Sequence, residues 1–330
     1  MTKKESDQLP KNLPEWIADL RQKAVKLPFD MAMQMYLGTE LRIPRILWGE
    51  GNVAYHYTDS AGLLGLVSNH RFWATNTAFL NDPSEGLHAL DIAKEALLQR
   101  ANSTNSEGIG ALFAKEASRK IARSVDTELY VTSFSRHADL LSQWRAYGAS
   151  GAGYALGFDM QHLPPHPQFG WLVEVQYDDD LLRTVVNKAA DVYIEHLQQN
   201  NERHLEDTVE WAVKFFNFIG QGFKHPSFRE EAEVRLIFSR STSGDGMAKD
   251  SGWYKVPISH RTKGSAIISY LETPLDFPDA PFFRSRLPLT KIIVGPVAAW
   301  PQSERALKSL LLSKGYDGVE ISQSRVPFRT

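Results

Sequence analysis

The chain has 330 residues, of which 42% are hydrophobic and 23% are charged, and its formal net charge is −2. This composition is typical of a soluble globular protein, and the near-neutral charge argues against a broad electrostatic surface for nucleic acid. The sequence contains no cysteine, which excludes disulfides, thiolate nucleophiles and cysteine-based zinc or iron–sulfur sites. It has neither the ~18 consecutive apolar residues of a membrane helix nor the apolar segment of a signal peptide, so we expect a cytoplasmic protein that binds no membrane.

The first 50 residues predict an N-terminal helical extension. Residues 1–12 are polar, and Leu13–Leu37 has apolar side chains near helical spacing, with a break at Pro28. The strand "VAYHYTD" then leads into a helix that Ser60 could cap. "RFWATNTAFLNDPSEG" predicts a strand followed by a loop, and two amphipathic helices are predicted at residues 85–100 and 110–123.

Strands and helices alternate irregularly through the rest of the chain. The predicted strands "ELYVTSFS", "GYALGFDM" and "GWLVEVQY" precede a helical pair at residues 181–200 and 205–222. The strands "AEVRLIFS", "GSAIISYLE" and "LTKIIVGP" follow, and then a helix near residues 303–313 and the segment "YDGVEISQS". Because there is no regular βαβ rhythm, an α+β fold is favoured over a doubly wound sheet. We expect residues 51–330 to form one domain with helical insertions.

The common phosphate, hydrolase and metal motifs are missing from the sequence. There is no G-x-x-x-x-G-K-[ST], no G-x-G-x-x-G after a strand, no G-x-S-x-G and no H-E-x-x-H. His162 and His166 have a metal-like spacing, but the two prolines between them prevent the helix that would align the imidazoles. No metal site is therefore expected.

Two segments in the first third of the chain carry candidate binding residues. In "YHYTD", His56 and Thr58 share one strand face and suit the binding of a ribose or an amide, although His56 could equally be a structural histidine. In "LNDPSEG", a turn signature makes three polar residues candidates, and a turn with a helix cap would explain the same residues: Asn81, Asp82 and Glu85.

A third segment, "TSFSRHADLLSQWRAYG", combines serines with an aromatic pair. Ser133 and Ser135 share one face of the predicted strand. Trp144 and Tyr147 are three residues apart, which places them on one helical face. The pair could belong to the core, or it could form a wall on which a planar ring stacks.

The fourth segment, "EEAEVRLIF", alternates in strand fashion. Its apolar row predicts packing against a core, and its polar row consists of Glu231, Glu233 and Arg235. The polar row could be a salt-bridged support at a sheet edge, or one glutamate could be held ready to stabilise a cationic transition state. We expect Glu233 to form the floor of a site and Glu231 to lie closer to solvent.

The ordered set "YHYTD", "FLNDPSEG", "SFS…LLSQWRAYG…GYALGFD", "FREEAEVRLIF" and "IIVGP…GYDGVEISQSRVPFR" resembles a bacterial family known as domain of unknown function 2971. The resemblance covers residues 52–329, nearly the whole chain. The family name implies no activity.

A more distant resemblance implies one. A histidine on a first strand, a serine or tyrosine on a second and a glutamate on a later strand are similar to the pattern of the ADP-ribosyltransferase superfamily. This resemblance implies a mixed or antiparallel sheet core of ADP-ribosyltransferase-like type, with NAD as substrate and no metal. In that superfamily the histidine and a neighbouring hydroxyl hold the nicotinamide ribose, and the nicotinamide stacks on an aromatic ring. The glutamate contacts the ribose 2′-hydroxyl and stabilises an oxocarbenium-like transition state.

Carried onto this sequence, the resemblance assigns catalysis to Glu233 or Glu231, together with His56. The second place in the pattern stays open among Ser133, Ser135 and Tyr147. The residues expected to bind NAD are His56, Tyr57, Thr58, Ser133, Ser135, Trp144, Tyr147 and Arg235. The implied reaction is transfer of ADP-ribose to a protein or nucleic acid, or hydrolysis of NAD. Since such a reaction is often harmful to its host cell, a role as a toxin or anti-phage defence effector would follow.

Two other readings stay open. In the first, the chain is a metal-dependent nucleic-acid-processing or nucleotide-binding protein. Its metal ligands would be Asp82, Glu85, Glu231 and Glu233, and its phosphate contacts would be Arg136, Arg145 and Arg235. In the second, the chain is a non-catalytic interaction module whose polar strand face is solvated or pairs with a partner.

Overall fold

The computed structural model describes nine stretches of the chain: residues 53–80, 87–103, 108–121, 128–160, 171–199, 204–240, 257–263, 265–273 and 286–328. The predicted N-terminal extension lies outside them. The chain divides into two compact units. The described residues 92–103, 108–121, 180–199 and 204–219 belong to a helical unit, and the rest belong to a unit built around a sheet.

A ten-stranded mixed sheet forms the second unit. Its strands in chain order are β1 (Val53–Thr58), β2 (Trp73–Asn76), β3 (Glu128–Ser135), β4 (Tyr154–Asp159), β5 (Trp171–Glu174), β6 (Glu233–Arg240), β7 (Ile258–Lys263), β8 (Ala266–Glu272), β9 (Leu289–Val294) and β10 (Glu320–Gln323). The main path runs β10-β9-β4-β1-β3-β2-β8-β7, with β6 on β3 and β5 on β6. Only β10 and β9 pair in parallel; the other described pairs are antiparallel.

The described helices of the whole chain are α1 (Ser60–Asn69), α2 (Leu87–Ser103), α3 (Ile109–Ile121), α4 (Leu141–Ala146), α5 (Asp179–Gln199), α6 (Leu205–Gly220) and α7 (Trp300–Ser313). Short 3-10 turns lie at Thr77–Phe79, Ala149–Gly151 and Pro226–Glu231. Among the described residues, no helix has the length and apolar character needed to cross a membrane.

The pairing of β3 opens a gap in the sheet. β3 pairs with β6 along its whole length, from Glu128 opposite Arg240 to Ser135 opposite Glu233. On its other edge, β2 pairs at Tyr130 and Val131, whereas β1 pairs only at Ser135. Residues 132–134 therefore lie where β1 and β2 separate.

An aromatic core underlies this gap. Phe72, Phe134 and Phe158 are buried and meet edge to face, with ring centroids 4.9–6.0 Å apart. Leu156 and Ile292, both fully buried, belong to the same cluster. Close packing of large side chains resists displacement, so the strands that bound the gap have a firm support.

The helical unit is joined by apolar rings and surface ion pairs. Phe113 of α3 stacks on Tyr193 of α5, and Tyr193 also meets Phe215 of α6 edge to face. All three rings are buried. Arg100 pairs with Asp191, and Arg183 pairs with Glu95, which links α2 to α5 on the exposed side.

The predicted α+β class and mixed sheet are confirmed. The predicted strand "ELYVTSFS" coincides with β3, and the other predicted strands among the described residues fall within a few residues of the observed ones. β7 was not predicted. The strand predicted from Ala232 begins one residue later, because Ala232 has φ of 40° and ends the 3-10 turn before β6. Most of α2, all of α3 and all but the first residue of α5 lie in the helical unit, whereas residues 87–91 of α2 lie in the sheet unit.

Candidate functional site

A cleft of ≈ 450 Å³ lies at the gap between β1 and β2. This volume falls within the roughly 300–1,000 Å³ that is usual for small-molecule sites. It brings together seven of the predicted site residues from positions far apart in the sequence: His56, Tyr57, Thr58, Ser133, Tyr147, Glu231 and Glu233. Five of them come from β1, β3 and β6, and Glu231 comes from the turn before β6. The pairing of β3 with β1 and β6 brings these six together, whereas Tyr147 is the residue after α4.

One ring nitrogen of His56 makes a hydrogen bond across the gap. Its Nδ1 lies 2.8 Å from the carbonyl oxygen of Ser133, which can only accept, so Nδ1 carries the proton. Burial lowers the pKa of His56; the Ser133 carbonyl opposes this change and the charge of Arg261 adds to it, and the net shift is downward. The neutral ring therefore has Nε2 as an acceptor for a ligand hydroxyl or amide.

Tyr57 and Thr58 shape the mouth of the cleft. The Tyr57 hydroxyl donates to the carbonyl of His137 at 2.9 Å and accepts from the backbone N–H of Leu140 at 3.0 Å. It therefore holds the loop between β3 and α4. Thr58 is nearly buried, and a Cβ added at Gly62 would lie 1.9 Å from its Oγ1. The absence of a side chain at Gly62 is what lets α1 approach β1 here.

Two glutamates and two cations form a buried charge cluster beside the cleft, which we call the four-charge cluster: Lys224, Glu231, Glu233 and Arg235. Their side chains are 3%, 12%, 7% and 0% exposed, respectively. Arg235 donates from Nε to Oε1 of Glu233 at 2.7 Å and from Nη2 to Oε2 at 2.8 Å. Lys224 Nζ lies 2.7 Å from Oε2 of Glu231 and 3.4 Å from Oε2 of Glu233. The formal charges cancel.

The environment of Glu233 keeps its carboxylate ionised and fixed. Burial alone raises the pKa of Glu233, but the charges of Arg235 and Lys224 and hydrogen bonds from Arg235 and Ser133 outweigh it, so the pKa lies well below its ordinary 4.5. The backbone N–H of Glu233 donates to the Tyr177 hydroxyl at 2.9 Å. Burial is the main cause that raises the pKa of Tyr177 to about 12.

The four-charge cluster differs from the sequence expectations in two respects. β6 pairs with both β3 and β5, so the carboxylates do not lie at a sheet edge. Glu231 lies closer to solvent than Glu233, as expected, with 12% against 7% of its side chain exposed, and it lines the cleft beside Glu233. Arg235 is fully buried, bonds to Glu233 and donates from Nη1 to the carbonyl of Gln221 at 3.0 Å, so it contacts the glutamate rather than the cleft.

The other residues of the serine and aromatic segment divide between core and cleft. Ser135 is buried, donates to the backbone carbonyl of Glu231 at 2.7 Å and is not among the described residues of the cleft wall. Trp144 is fully buried, meets Tyr57 edge to face at 4.8 Å and donates to Asp139 at 2.6 Å. Tyr147, which follows α4, is half-buried and lines the cleft. Of the two residues predicted to form a stacking wall, Tyr147 is therefore the one whose ring lines the cleft.

Of the described residues named for a metal or phosphate site, Glu231 and Glu233 line the cleft, whereas Arg136, Arg145 and Arg235 do not. Asn81, Asp82 and Glu85 lie outside the described residues. Arg136 pairs with Glu174 at 3.7 Å, and Arg145 lies over the ring of Phe328 at 5.5 Å. A search of the described residues found no group of three or more side chains that could hold a metal ion.

Arg261 of β7 is a cleft residue that the sequence did not indicate. It lines the cleft, donates from Nη2 to Thr75 Oγ1 at 3.1 Å and lies over the ring of Trp73 at 5.1 Å. Burial lowers the pKa of its guanidinium, and the charge of Asp59 opposes that shift. The signal that could have found it is the polar segment "ISHRTK", which has too few apolar residues to stand out as a strand.

A comparison with protein families gives one match. The family described as "Protein of unknown function (DUF2971)" matches residues 143–236, which is under a third of the chain and runs from α4 into β6. The match supports the resemblance to this family over that segment, which includes Tyr147 and the four-charge cluster. Comparisons with curated proteins and with solved structures give no match.

Proposed function

We propose that the chain is an NAD-using enzyme of the ADP-ribosyltransferase type, which either transfers ADP-ribose to a macromolecule or hydrolyses NAD. The observation that carries this proposal is the meeting of His56, Ser133 and the two glutamates around one cleft. His56 and Ser133 are 77 positions apart and come within hydrogen-bond distance. Their order of strands, histidine first and glutamate last, is the order that the resemblance implies.

The chemistry of the reaction fits the groups present. The bond between C1′ of the ribose and the nicotinamide nitrogen breaks, and both electrons go to the nicotinamide, which leaves as a neutral molecule and so needs no acid. The ribose becomes cationic in character, and a fixed carboxylate stabilises it. A lone pair of water or of the acceptor then forms the new bond to C1′ and gives up a proton to solvent or to a carboxylate.

In this proposal each side chain has a defined task. His56 Nε2 accepts from a ribose hydroxyl or the nicotinamide amide, since Nδ1 is held by the Ser133 carbonyl. The ring of Tyr147 stacks on the nicotinamide. Ser133 and Arg235 hold Glu233, and Lys224 holds Glu231. Glu233 or Glu231 faces the ribose.

The metal-dependent alternative has weaker support among these residues. Glu231 and Glu233 are each paired with a cation, so a metal ion bound there would have to compete with Lys224 and Arg235. The interaction-module alternative expected a polar strand face that is solvated or pairs with a partner; Glu233 and Arg235 are buried, which argues against the solvated form. Both alternatives make different predictions from the NAD proposal in a single assay.

The test is release of nicotinamide from NAD by the purified protein, with and without a chelator. We expect chelator-insensitive release that falls at least tenfold in His56→Ala and in Glu233→Gln or Glu231→Gln. The matched control is Glu320→Gln, which removes an exposed carboxylate of β10 that pairs with Lys291; its rate should equal that of the unchanged protein.

Two outcomes would contradict the proposal. If a chelator abolished release, the metal-dependent alternative would replace it. If the protein released no nicotinamide and NAD did not raise its melting temperature, NAD would not be its ligand. Where NAD raises the melting temperature without release, the assay is repeated with bacterial protein and nucleic acid as acceptors, and absence of ADP-ribose transfer there would reject the catalytic role.

A further inference from the structure

The wall of the cleft formed by β2 and β7 carries an arginine that the proposed reaction does not use. Arg261 extends from β7 across β8 to β2, where its guanidinium lies over the rings of Trp73 and Tyr270 at 5.1 and 5.7 Å. Its Nη2 donates to Thr75 Oγ1. These contacts fix the plane of the guanidinium and leave most of its donors unused.

Two donors of this wall have no acceptor within the part of the chain that the structure describes. Arg261 Nε and Trp73 Nε1 are both shielded from solvent and make no hydrogen bond there. No carboxylate of the described residues forms a salt bridge with Arg261; Asp59 acts on it only at longer range, and its Oδ1 accepts from the backbone N–H of Gly62. A charged donor shielded from water without an acceptor is unfavourable, so such groups indicate a missing ligand.

The charge of the cleft wall favours an anion at this end. The glutamates that line the cleft are paired with Lys224 and Arg235, so their charges are balanced. His56, which the charge of Arg261 also reaches, has a lowered pKa and is neutral near pH 7. Arg261 is thus the cation that faces the cleft without a direct ionic partner among the described residues, and a planar guanidinium matches the oxygens of a phosphate.

We propose that Arg261, with Thr75 and Trp73, forms a phosphate-binding subsite at the β2–β7 end of the cleft. Resting on the proposed function, the ligand group is the diphosphate of NAD. Arg261 binds its oxygens, while the nicotinamide end lies at His56 and Tyr147. Thr75 is a positioning residue, because it holds Nη2 of the arginine.

The test is calorimetric titration of the full-length protein with inorganic pyrophosphate, with ADP-ribose and with uncharged adenosine. We expect pyrophosphate and ADP-ribose to bind and Arg261→Gln to weaken both at least tenfold. Arg261→Lys, which keeps the charge without the fork, should lose less, and Thr75→Val should lose severalfold. The matched control is Arg71→Gln, which removes a partly buried arginine of the same unit that does not line the cleft; its affinities should be unchanged.

Several results would overturn this subsite. One is that Arg261→Gln binds pyrophosphate as tightly as the unchanged protein does. Another is that the unchanged protein binds neither pyrophosphate nor ADP-ribose. A third is that Arg71→Gln loses as much affinity as Arg261→Gln. If Arg261→Gln fails to fold, Thr75→Val and Arg261→Lys decide, and unchanged affinity in both rejects the subsite. Pyrophosphate binding that depends on Arg261 without NAD turnover would support the subsite and reject only the proposed enzyme. Turnover of NAD without any effect of Arg261 on affinity would support the proposed enzyme and reject the subsite.

Discussion

Replacing Arg235 by methionine should be among the most destabilising single changes in the sheet unit. Arg235 is fully buried and donates two charge-assisted hydrogen bonds, at 2.7 and 2.8 Å, to a carboxylate that is itself buried. Hydrogen bonds to charged groups contribute about 1.5–3 kcal/mol each, and removal of one partner of a buried ion pair costs about 3–5 kcal/mol. Lys224, at 3.4 Å, is the cation that remains near Glu233. We therefore expect a loss of about 3–5 kcal/mol in the free energy of unfolding at pH 7.

A second substitution separates this charge effect from a packing effect. In Arg235→Met with Glu233→Gln, no unpaired charge is left, and Lys224 can still neutralise Glu231. Replacing a buried ion pair by neutral groups of similar volume is often close to neutral, so the double variant should recover to within about 2 kcal/mol of the unchanged protein. As a control, Arg136→Met breaks a partly exposed pair with Glu174 and should cost no more than about 1 kcal/mol.

Urea unfolding followed by tryptophan fluorescence and far-UV circular dichroism measures all of these differences. The dependence of the free energy of unfolding on pH gives a second test, because its direction can be worked out. The folded pKa of Glu233 is lowered, so the stability it contributes is present above the ordinary value of 4.5 and is lost as the pH falls below it. In Arg235→Met burial should raise that pKa, so the deficit should narrow as the pH falls from 7 toward 5. A cost below about 1 kcal/mol, or a double variant no more stable than the single one, would refute the reasoning.

Two further predictions concern the mouth of the cleft. The pKa of His56 is lowered by burial, so protonation of the unfolded chain should reduce the free energy of unfolding as the pH falls below 6.5. The variant His56→Asn keeps a donor for the Ser133 carbonyl and should show a smaller decrease between about pH 7 and 5. An equal decrease in the variant would contradict this assignment. Gly62→Ala should destabilise by about 1–3 kcal/mol because the added Cβ meets Thr58 Oγ1. In a Thr58→Ala background the same change should be neutral or stabilising, and urea unfolding that gives the same cost in both backgrounds would disprove the clash.

The sequence could predict local elements and some of the cleft residues because strand and helix periods are local properties. "ELYVTSFS" is rich in β-branched and aromatic residues, and it forms β3 as predicted. His56 and Ser133 were candidates from their residue types alone. Their contact depends on the pairing of β3 with β1 at one residue only, and no local pattern specifies which strands separate.

Whether the polar row of β6 is buried or exposed depends on residues outside the strand. Alternation placed Glu233 and Arg235 on one face, but their contacts on that face come from the segment after α6, which supplies Lys224 and the carbonyl of Gln221. Ser135 could not be separated from Ser133 by spacing, since both share a face; Ser135 is occupied by the carbonyl of Glu231. Arg261 was missed because "ISHRTK" is an edge strand with little apolar character.

The arrangement of the four-charge cluster has a consequence for the proposed reaction that its zero formal charge conceals. Glu231 and Glu233 line the cleft, whereas neither Lys224 nor Arg235 is among the described residues that do so. The cluster is therefore a fixed dipole with its negative end toward the cleft. Neutrality keeps the cost of burial low, since an unpaired buried carboxylate would become protonated. The dipole still favours positive charge at the cleft, and because its groups are held by hydrogen bonds it needs no reorganisation when a cationic transition state forms. Under the proposed function either glutamate can serve in this way, and Glu233, which one guanidinium holds through both carboxylate oxygens, is favoured as the group that faces the ribose.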